Sequence, residues 1–333
     1  MSIFNLDLIR EATAQLSSHI IKTPLLNSPA LDSLVGASVY VKAECLQKTG
    51  AFKIRGALFK MMSLTPQQQK HGVITYSAGN HGNAVSAASK VLGCSAVIVM
   101  PSDAPRIKKD NCRWWGAEIV LYDKHTQDRE AVAAKLIEDR GLTFIPPFDD
   151  HLVMSGQGTI GVEICDQLKA LGKEPDSLLL GCSGGGLAAG VITVINSQYP
   201  KTQCYLTEAQ GYEKWALSLE SGRPEKLKTL SPTIIDGIAG PSVGAKPFEV
   251  LRTKKLNCTV ATEHDVFVAM SAAFRHLKVV VEPGGAAALG VLIREREKFR
   301  GQNVVVVCSG GNVDPDVFTK ALDLGWAAAT VHE

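Results

Sequence analysis

Lys53 stands between Phe52 and Ile54 in the run CLQKTGAFKIRGALFKMM, residues 45–62, just after a Thr-Gly pair. A surface helix sends its lysines to solvent, so an amine set among apolar and small neighbours is a candidate for covalent chemistry. An amine held near apolar groups gives up its proton more readily than in water, and the neutral form is both nucleophile and base. Such chemistry needs a bound partner, and three glycine-rich junctions between strand and loop could hold one.

The first junction is TYSAGNHGNAV, residues 75–85, where a strand ends at Ser77 and Gly79, Asn80, His81 and Gly82 turn into a helix. Free backbone N–H groups at a helix start suit a carboxylate or phosphate, although ordinary βα turns look the same. The second is LLLGCSGGGLAAGV, residues 178–191, where Gly184, Gly185 and Gly186 open a small-residue helix. No G-K-[ST] follows, so it is not a Walker loop. Nor does an acidic residue close a second strand at the spacing of a clean dinucleotide site, though Glu208 lies near it. A phosphate cradle without a nucleotide is the better reading. The third is VVVVCSGGNVD, residues 304–314, where Ser309 is either a turn residue or a neutral hydroxyl aimed into a cleft.

The elements that must position these loops are legible in outline. Candidate strands SVYVKAE, GVITYS, SAVIVM, AEIVLY, DSLLLG, QCYLTE and NVVVVCS alternate with helical patterns such as GNAVSAASKVLG and DREAVAAKLIEDRG. This predicts an α/β protein of two domains, each an open, twisted, mostly parallel sheet flanked by helices, with ligands in the cleft beyond the strand ends. Residues 49–147 read as the smaller domain, closing on substrate; residues 1–48 and 148–333 read as the larger, cofactor-binding one. Length 333 suits that division. A net charge of +2 with scattered basic residues argues against nucleic acid or an anionic membrane as partner. No window reaches the ~18 apolar residues of a membrane helix, and the N-terminus lacks a signal-peptide core. Eight dispersed cysteines without a C-x-x-C pair suggest neither zinc nor redox chemistry and suit a reducing cytoplasm.

KTGAFKIRGA, SAGNHG, SGQGT at 155–159, SGGGL and SGGNVD occur in one order along the chain, after KTPL at 22–25. Together they resemble fold type II pyridoxal 5'-phosphate enzymes, in the threonine/serine dehydratase and serine racemase branch. The resemblance implies that Lys53 carries the cofactor covalently, that Phe52 lies against its ring, and that Asn80 bonds the ring's 3' oxygen. It implies phosphate binding by Ser183, Gly184, Gly185, Gly186 and Leu187, a backbone contact from Gly237, and an acidic neighbour in Glu282. Ser309 would face the pyridine nitrogen, where a neutral hydroxyl makes the ring a weaker electron sink and suits elimination. Ser77, Ala78, Gly79, Asn80 and His81 would grip the substrate α-carboxylate, and His81 is read as structural there. Most relatives have glycine at Ser183; a hydroxyl there either adds a phosphate bond or narrows the loop.

The implied activity is an ammonia-lyase (dehydratase) acting on L-threonine or L-serine, a small-molecule amino-acid substrate, with homodimerisation expected from the family. Racemases of this branch carry serine where this chain has Ala78, so racemisation is expected to be slow or absent. Phe148 stands where racemases have asparagine, favouring an apolar substrate side chain. Arg129 aligns with an arginine that meets a second carboxylate in related enzymes, which would make threo-3-hydroxyaspartate the substrate; a surface role in a helix first turn, between Asp128 and Glu130, is the favoured reading. Lys214 replaces an acid of the relatives' divalent-cation site beside Glu208, so no metal is expected. No room remains for a C-terminal regulatory domain, which fits amino-acid breakdown. A catalytically silent cofactor-binding protein is the alternative of a different class.

Overall fold

The computed structural model describes residues 3–77, 79–104, 106–123 and 125–330, without the side chains of 107 and 326–330. Among the described residues, ten strands form two sheets. In chain order they are β1 (Leu25–Leu26), β2 (Ser38–Ala43), β3 (Val73–Tyr76), β4 (Ala96–Pro101), β5 (Glu118–Tyr122), β6 (Thr143–Phe144), β7 (Ser177–Gly181), β8 (Gln203–Ala209), β9 (Leu256–Ala261) and β10 (Asn303–Cys308). One sheet has the order β1-β2-β10-β7-β8-β9, the other β5-β4-β3-β6. Of these strand pairs only β1–β2 is antiparallel. The mostly parallel α/β architecture expected from the sequence is what forms. The smaller sheet draws its strands from residues 73–144, the larger from 25–43 and 177–308.

The reason lies in the apolar runs. Val304 to Cys308 are all buried, and β10 pairs with β2 on one side and β7 on the other. A strand with both faces covered by helices needs apolar side chains on both, which this run supplies. The strands absent from the sequence reading, β1, β6 and β9, are all at sheet edges. Two are two residues long, and β9 is half-exposed along most of its length, so the buried-strand signal is missing.

Helix boundaries follow local capping chemistry. The Arg129–Arg140 helix is capped by Asp128, which accepts from Glu130 N and Ala131 N, and it stops at Gly141 with φ +67°. The His151–Ala170 helix is capped by Asp150, whose other oxygen takes Lys60 Nζ at 2.8 Å.

The SGQGT run lies inside that long helix and serves packing. A Cβ on Gly156 would sit 2.5 Å from the Arg55 carbonyl, so only glycine lets this helix meet the Lys53–Met62 helix so closely. Gln157 Oε1 accepts from Gly56 N across the same contact.

Between these elements lies a fully desolvated charge network. Arg55 donates to Glu44 and Glu163 at 2.7–3.0 Å and to Thr159 Oγ1 at 3.0 Å. Lys42 donates to Glu163 at 2.6 Å and to the Thr23 carbonyl at 2.7 Å. Burial lowers the Lys42 ammonium's affinity for its proton, against the pull of Glu163 and Glu44. Removing one partner of a buried pair strands the others without compensation, at about 3–5 kcal/mol. Arg55→Met should therefore lower the urea midpoint by an amount equivalent to about 3–5 kcal/mol. Arg55→Lys should recover only part, since one ammonium cannot replace five guanidinium donors; a wild-type midpoint for Arg55→Met would count against the network's role.

Candidate active site

The Thr49–Lys53 segment is stitched to the loop after β10. Ala51 bridges Gly310, Phe52 N donates to the Ser309 carbonyl at 3.0 Å, and Gly311 N donates to the Gly50 carbonyl at 2.8 Å. Lys53 opens its helix and points its amine away from bulk water: Nζ donates to the Pro147 carbonyl at 2.6 Å and lies 5.2 Å from the Phe52 ring centre. Burial lowers the amine from its ordinary value to about 8.

Opposite it, the Ser183–Gly186 loop feeds the N-terminus of the Gly186–Gln198 helix. Gly185 has φ +97°, and a Cβ there would meet Trp215 Cζ2 at 2.2 Å, so glycine is required twice over. The Phe148 ring packs over Gly184 in the same way, leaving 2.4 Å for any added Cβ. Phe148 therefore braces the glycine loop in addition to lining the cavity. The helix N-terminus brings unpaired N–H groups and partial positive charge to this wall, the arrangement that holds a phosphate.

Asn80 is held at both ends of its amide. Nδ2 donates to Glu282 Oε1 at 2.5 Å, and Asn312 Nδ2 donates to Asn80 Oδ1 at 2.7 Å. Burial pushes the Glu282 carboxyl up to about 8, only partly offset by the Asn80 bond. His81 donates from Nε2 to the Ile145 carbonyl at 3.0 Å, and Nδ1 has no hydrogen-bond partner among the described residues. Burial, with Lys53 nearby, drops the imidazole to about 3, so it stays neutral. Cys308, beside Ser309, is wholly buried, and burial raises its thiol well above the usual value, so it is packed and unreactive.

One cavity of about 750 Å³ gathers these groups. It is lined by Phe52, Lys53, Ser77, Gly79, Asn80, His81, Arg129, Ser183, Gly184, Gly185, Gly186, Leu187, Gly237, Glu282 and Ser309. Ala78, the remaining expected site residue, lies outside the described residues. Arg129 is exposed in a helix first turn, as a surface reading implies, yet its guanidinium sits 5.0 Å over the Tyr76 ring at the cavity wall. Tyr76 in turn stacks on Phe144 at 5.0 Å.

Three charged residues not named in the sequence reading, Lys108, Asp149 and Asp236, also line the cavity. Lys108 pairs with Asp236 at 2.7 Å, joining the helix after β4 to the turn that carries Gly237. Lys108 sits in a run, RIKKDN, that reads as an ordinary surface helix; Asp236, next to Gly237, was the signal available. Further off, Lys214 Nζ lies 3.4 Å from Glu208 Oε1 and 3.2 Å from the Tyr212 carbonyl, both side chains buried.

The Lys53 amine gives a direct readout. In the cofactor-stripped protein, reductive alkylation by a small aldehyde and borohydride, followed by peptide mapping, should reach half-maximal rate at Lys53 near pH 8. Exposed lysines should still be accelerating at about pH 10. A Lys53 profile matching theirs would show an ordinary solvated amine.

The family described as pyridoxal-phosphate dependent enzymes matches residues 16–310 of the chain. A serine racemase of Arabidopsis thaliana is 36% identical over 311 residues, 92% of each chain. An L-threo-3-hydroxyaspartate ammonia-lyase of a Pseudomonas species is 34% identical over 312 residues, 94% of this chain and 96% of the other. The structure of the processed form of threonine deaminase isoform 2 from Solanum lycopersicum superposes with a TM-score of 0.87 at 33% identity, covering 97% of this chain and 90% of that one. The site suits the shared cofactor: an amine for its aldehyde, a backbone N–H cradle for its phosphate, and a neutral hydroxyl and buried carboxyl for its ring. The chain belongs to the pyridoxal-phosphate-dependent enzymes of fold type II, in the branch that holds serine racemases and threonine ammonia-lyases, and its cofactor is pyridoxal 5'-phosphate.

Proposed function

We propose that the protein is an ammonia-lyase that removes water from a 3-hydroxy amino acid and releases a 2-oxo acid and ammonia. The observation that carries this is the buried Lys53 amine at the cavity wall, combined with alanine at position 78. When bound, the cofactor supplies the electron sink that acidifies the substrate α-hydrogen. Lys53 Nζ, held by the Pro147 carbonyl until it is engaged, takes that proton. Alanine cannot hold or deliver a proton, so on this reading the opposite face has no matching base. Ser309 offers its hydroxyl to the ring nitrogen in place of a carboxylate, which would favour a protonated nitrogen. Backbone N–H groups of Ser77, Gly79, Asn80 and His81 would orient the substrate carboxylate, with His81 kept neutral by burial. Residues 49–147 would move toward the rest of the chain to exclude water.

For the side-chain pocket, L-threonine or L-serine is the first reading. A second is favoured by one contact: Arg129, stacked on Tyr76, stands at the cavity wall, where a second substrate carboxylate would meet it. That makes L-threo-3-hydroxyaspartate the competing substrate. Lys214 bears on metal dependence: an ammonium already beside Glu208 should leave little stimulation by divalent cations.

Initial rates of 2-oxo acid formation from L-threonine, L-serine and L-threo-3-hydroxyaspartate decide the substrate. If the dicarboxylate is preferred, Arg129→Ala should lower its kcat/KM by about 10- to 100-fold, the worth of a charge-assisted hydrogen bond. L-Serine turnover should be unaffected by the same change; equal losses on both substrates would remove Arg129 from recognition. Chiral analysis of the L-serine reaction should find no sustained D-serine, and its accumulation would overturn the expectation that alanine at 78 prevents racemisation; absence of 2-oxo acid from all three substrates would overturn the lyase assignment.

A further inference from the structure

Ser183 opens the glycine loop, and its hydroxyl has a partner that the chain's pattern does not disclose. Ser183 Oγ accepts from Gly240 N at 3.1 Å. The fit is tight, since a Cβ on Gly240 would come within 2.6 Å of that oxygen. One residue on, the Gly184 carbonyl accepts from Gly244 N at 3.0 Å. On its other side the Ser183 carbonyl accepts from Trp215 Nε1 at 2.7 Å. Trp215 is wholly buried, and its own backbone N–H donates to Glu208 at 2.9 Å.

We infer that Ser183 is a positioning residue: its hydroxyl ties the 236–244 segment to the phosphate-binding loop and leaves its own proton to donate into the cavity. This deepens the reading of the glycine loop as a phosphate cradle and rests on it. A hydroxyl has one proton and two lone pairs, so accepting from Gly240 N–H leaves the O–H proton unused by that bond. Ser183 lines the cavity, so an anion there is an available acceptor. The tethered segment matters because it carries Gly237 and Asp236, and Asp236 grips Lys108 on the far side of the cleft at 2.7 Å. The loop on the phosphate and the ion pair across the cleft are thus joined through one hydroxyl. Glycine at 183 would lose the tether, and alanine would lose it while keeping the backbone restraint.

The test uses the holoenzyme and its cofactor-stripped form, with Ser183→Ala and Ser183→Thr. Hydrogen exchange at Gly240 in the stripped protein should be about tenfold faster in Ser183→Ala than in wild type, and Ser183→Thr should restore protection. Pyridoxal phosphate should be held about three- to tenfold more weakly by Ser183→Ala, with inorganic phosphate weakened in parallel, and Ser183→Thr should restore both. Unchanged Gly240 exchange in Ser183→Ala overturns the tether, and unchanged phosphate affinity overturns the donated proton. The exchange arm needs no cofactor, so it separates failure of the tether from failure of the cradle: a wild-type protein that ignores phosphate would sink the cradle alone.

Discussion

The Lys53 amine is where it is because Arg55, two residues further along, cannot move. Its guanidinium binds Glu44 after β2 and Glu163 in the middle of the His151–Ala170 helix, with no exposure to solvent. Lys42 shares Glu163, so two cations and two carboxylates balance inside the protein. In a low-dielectric interior each charge depends on the placement of the others, and any sliding of the Lys53–Met62 helix would leave an unpaired ion. Glycines at 56 and 156 remove the other freedom, holding the helices at contact distance. The result is a first helical turn fixed from below, with Lys53 presented at its upper end.

Above that anchor, the cavity moderates the charge of its own titratable groups. Burial brings the Lys53 amine and the Glu282 carboxyl to about 8 from opposite directions and takes His81 down to about 3. The amine is therefore partly neutral near physiological pH, while the carboxyl and imidazole are mostly so. The fixed dipoles at the glycine loop are what an anionic ligand meets there, since Lys108 on the cavity wall is already paired with Asp236, and Arg129 shares the wall with Glu130 and Asp149. Preorganised N–H groups serve an anion without reorganising, whereas mobile charges would have to be reoriented and desolvated as it bound.

What the sequence discloses and what it hides divide along a physical line. Asn80, the Ser183–Leu187 loop and Ser309 are legible because each sits where a strand ends in small residues, and Lys53 because an amine among apolar neighbours leaves its own mark in consecutive positions. The central strands are legible for the same reason, as in the valine run of β10. Lys108–Asp236, Ser183–Gly240 and Trp215–Ser183 span 128, 57 and 32 positions, and no local pattern encodes their partners. SGQGT looks like a site motif and proves to be a helix-packing face, because glycine serves close approach to a backbone as readily as to a ligand. Arg129 has the marks of a solvent-facing helix start, and only the tertiary position of Tyr76 brings its head to the cavity.

Similar identity to a racemase and to ammonia-lyases is what a shared first step predicts. Both reactions load the amino acid, fix its carboxylate and remove the α-proton, and the deeply buried parts of this cavity are suited to those tasks. The branches differ only afterwards, in whether a proton returns from the opposite face or a β-substituent departs. On the reading proposed here that choice rests on a few side chains, too few to register in whole-chain similarity. On the reading proposed here, alanine at 78 removes the returning proton and Arg129 bears on which β-substituent and side chain can enter. The scaffold thus accounts for the likeness, and the reaction is decided where the likeness is least informative.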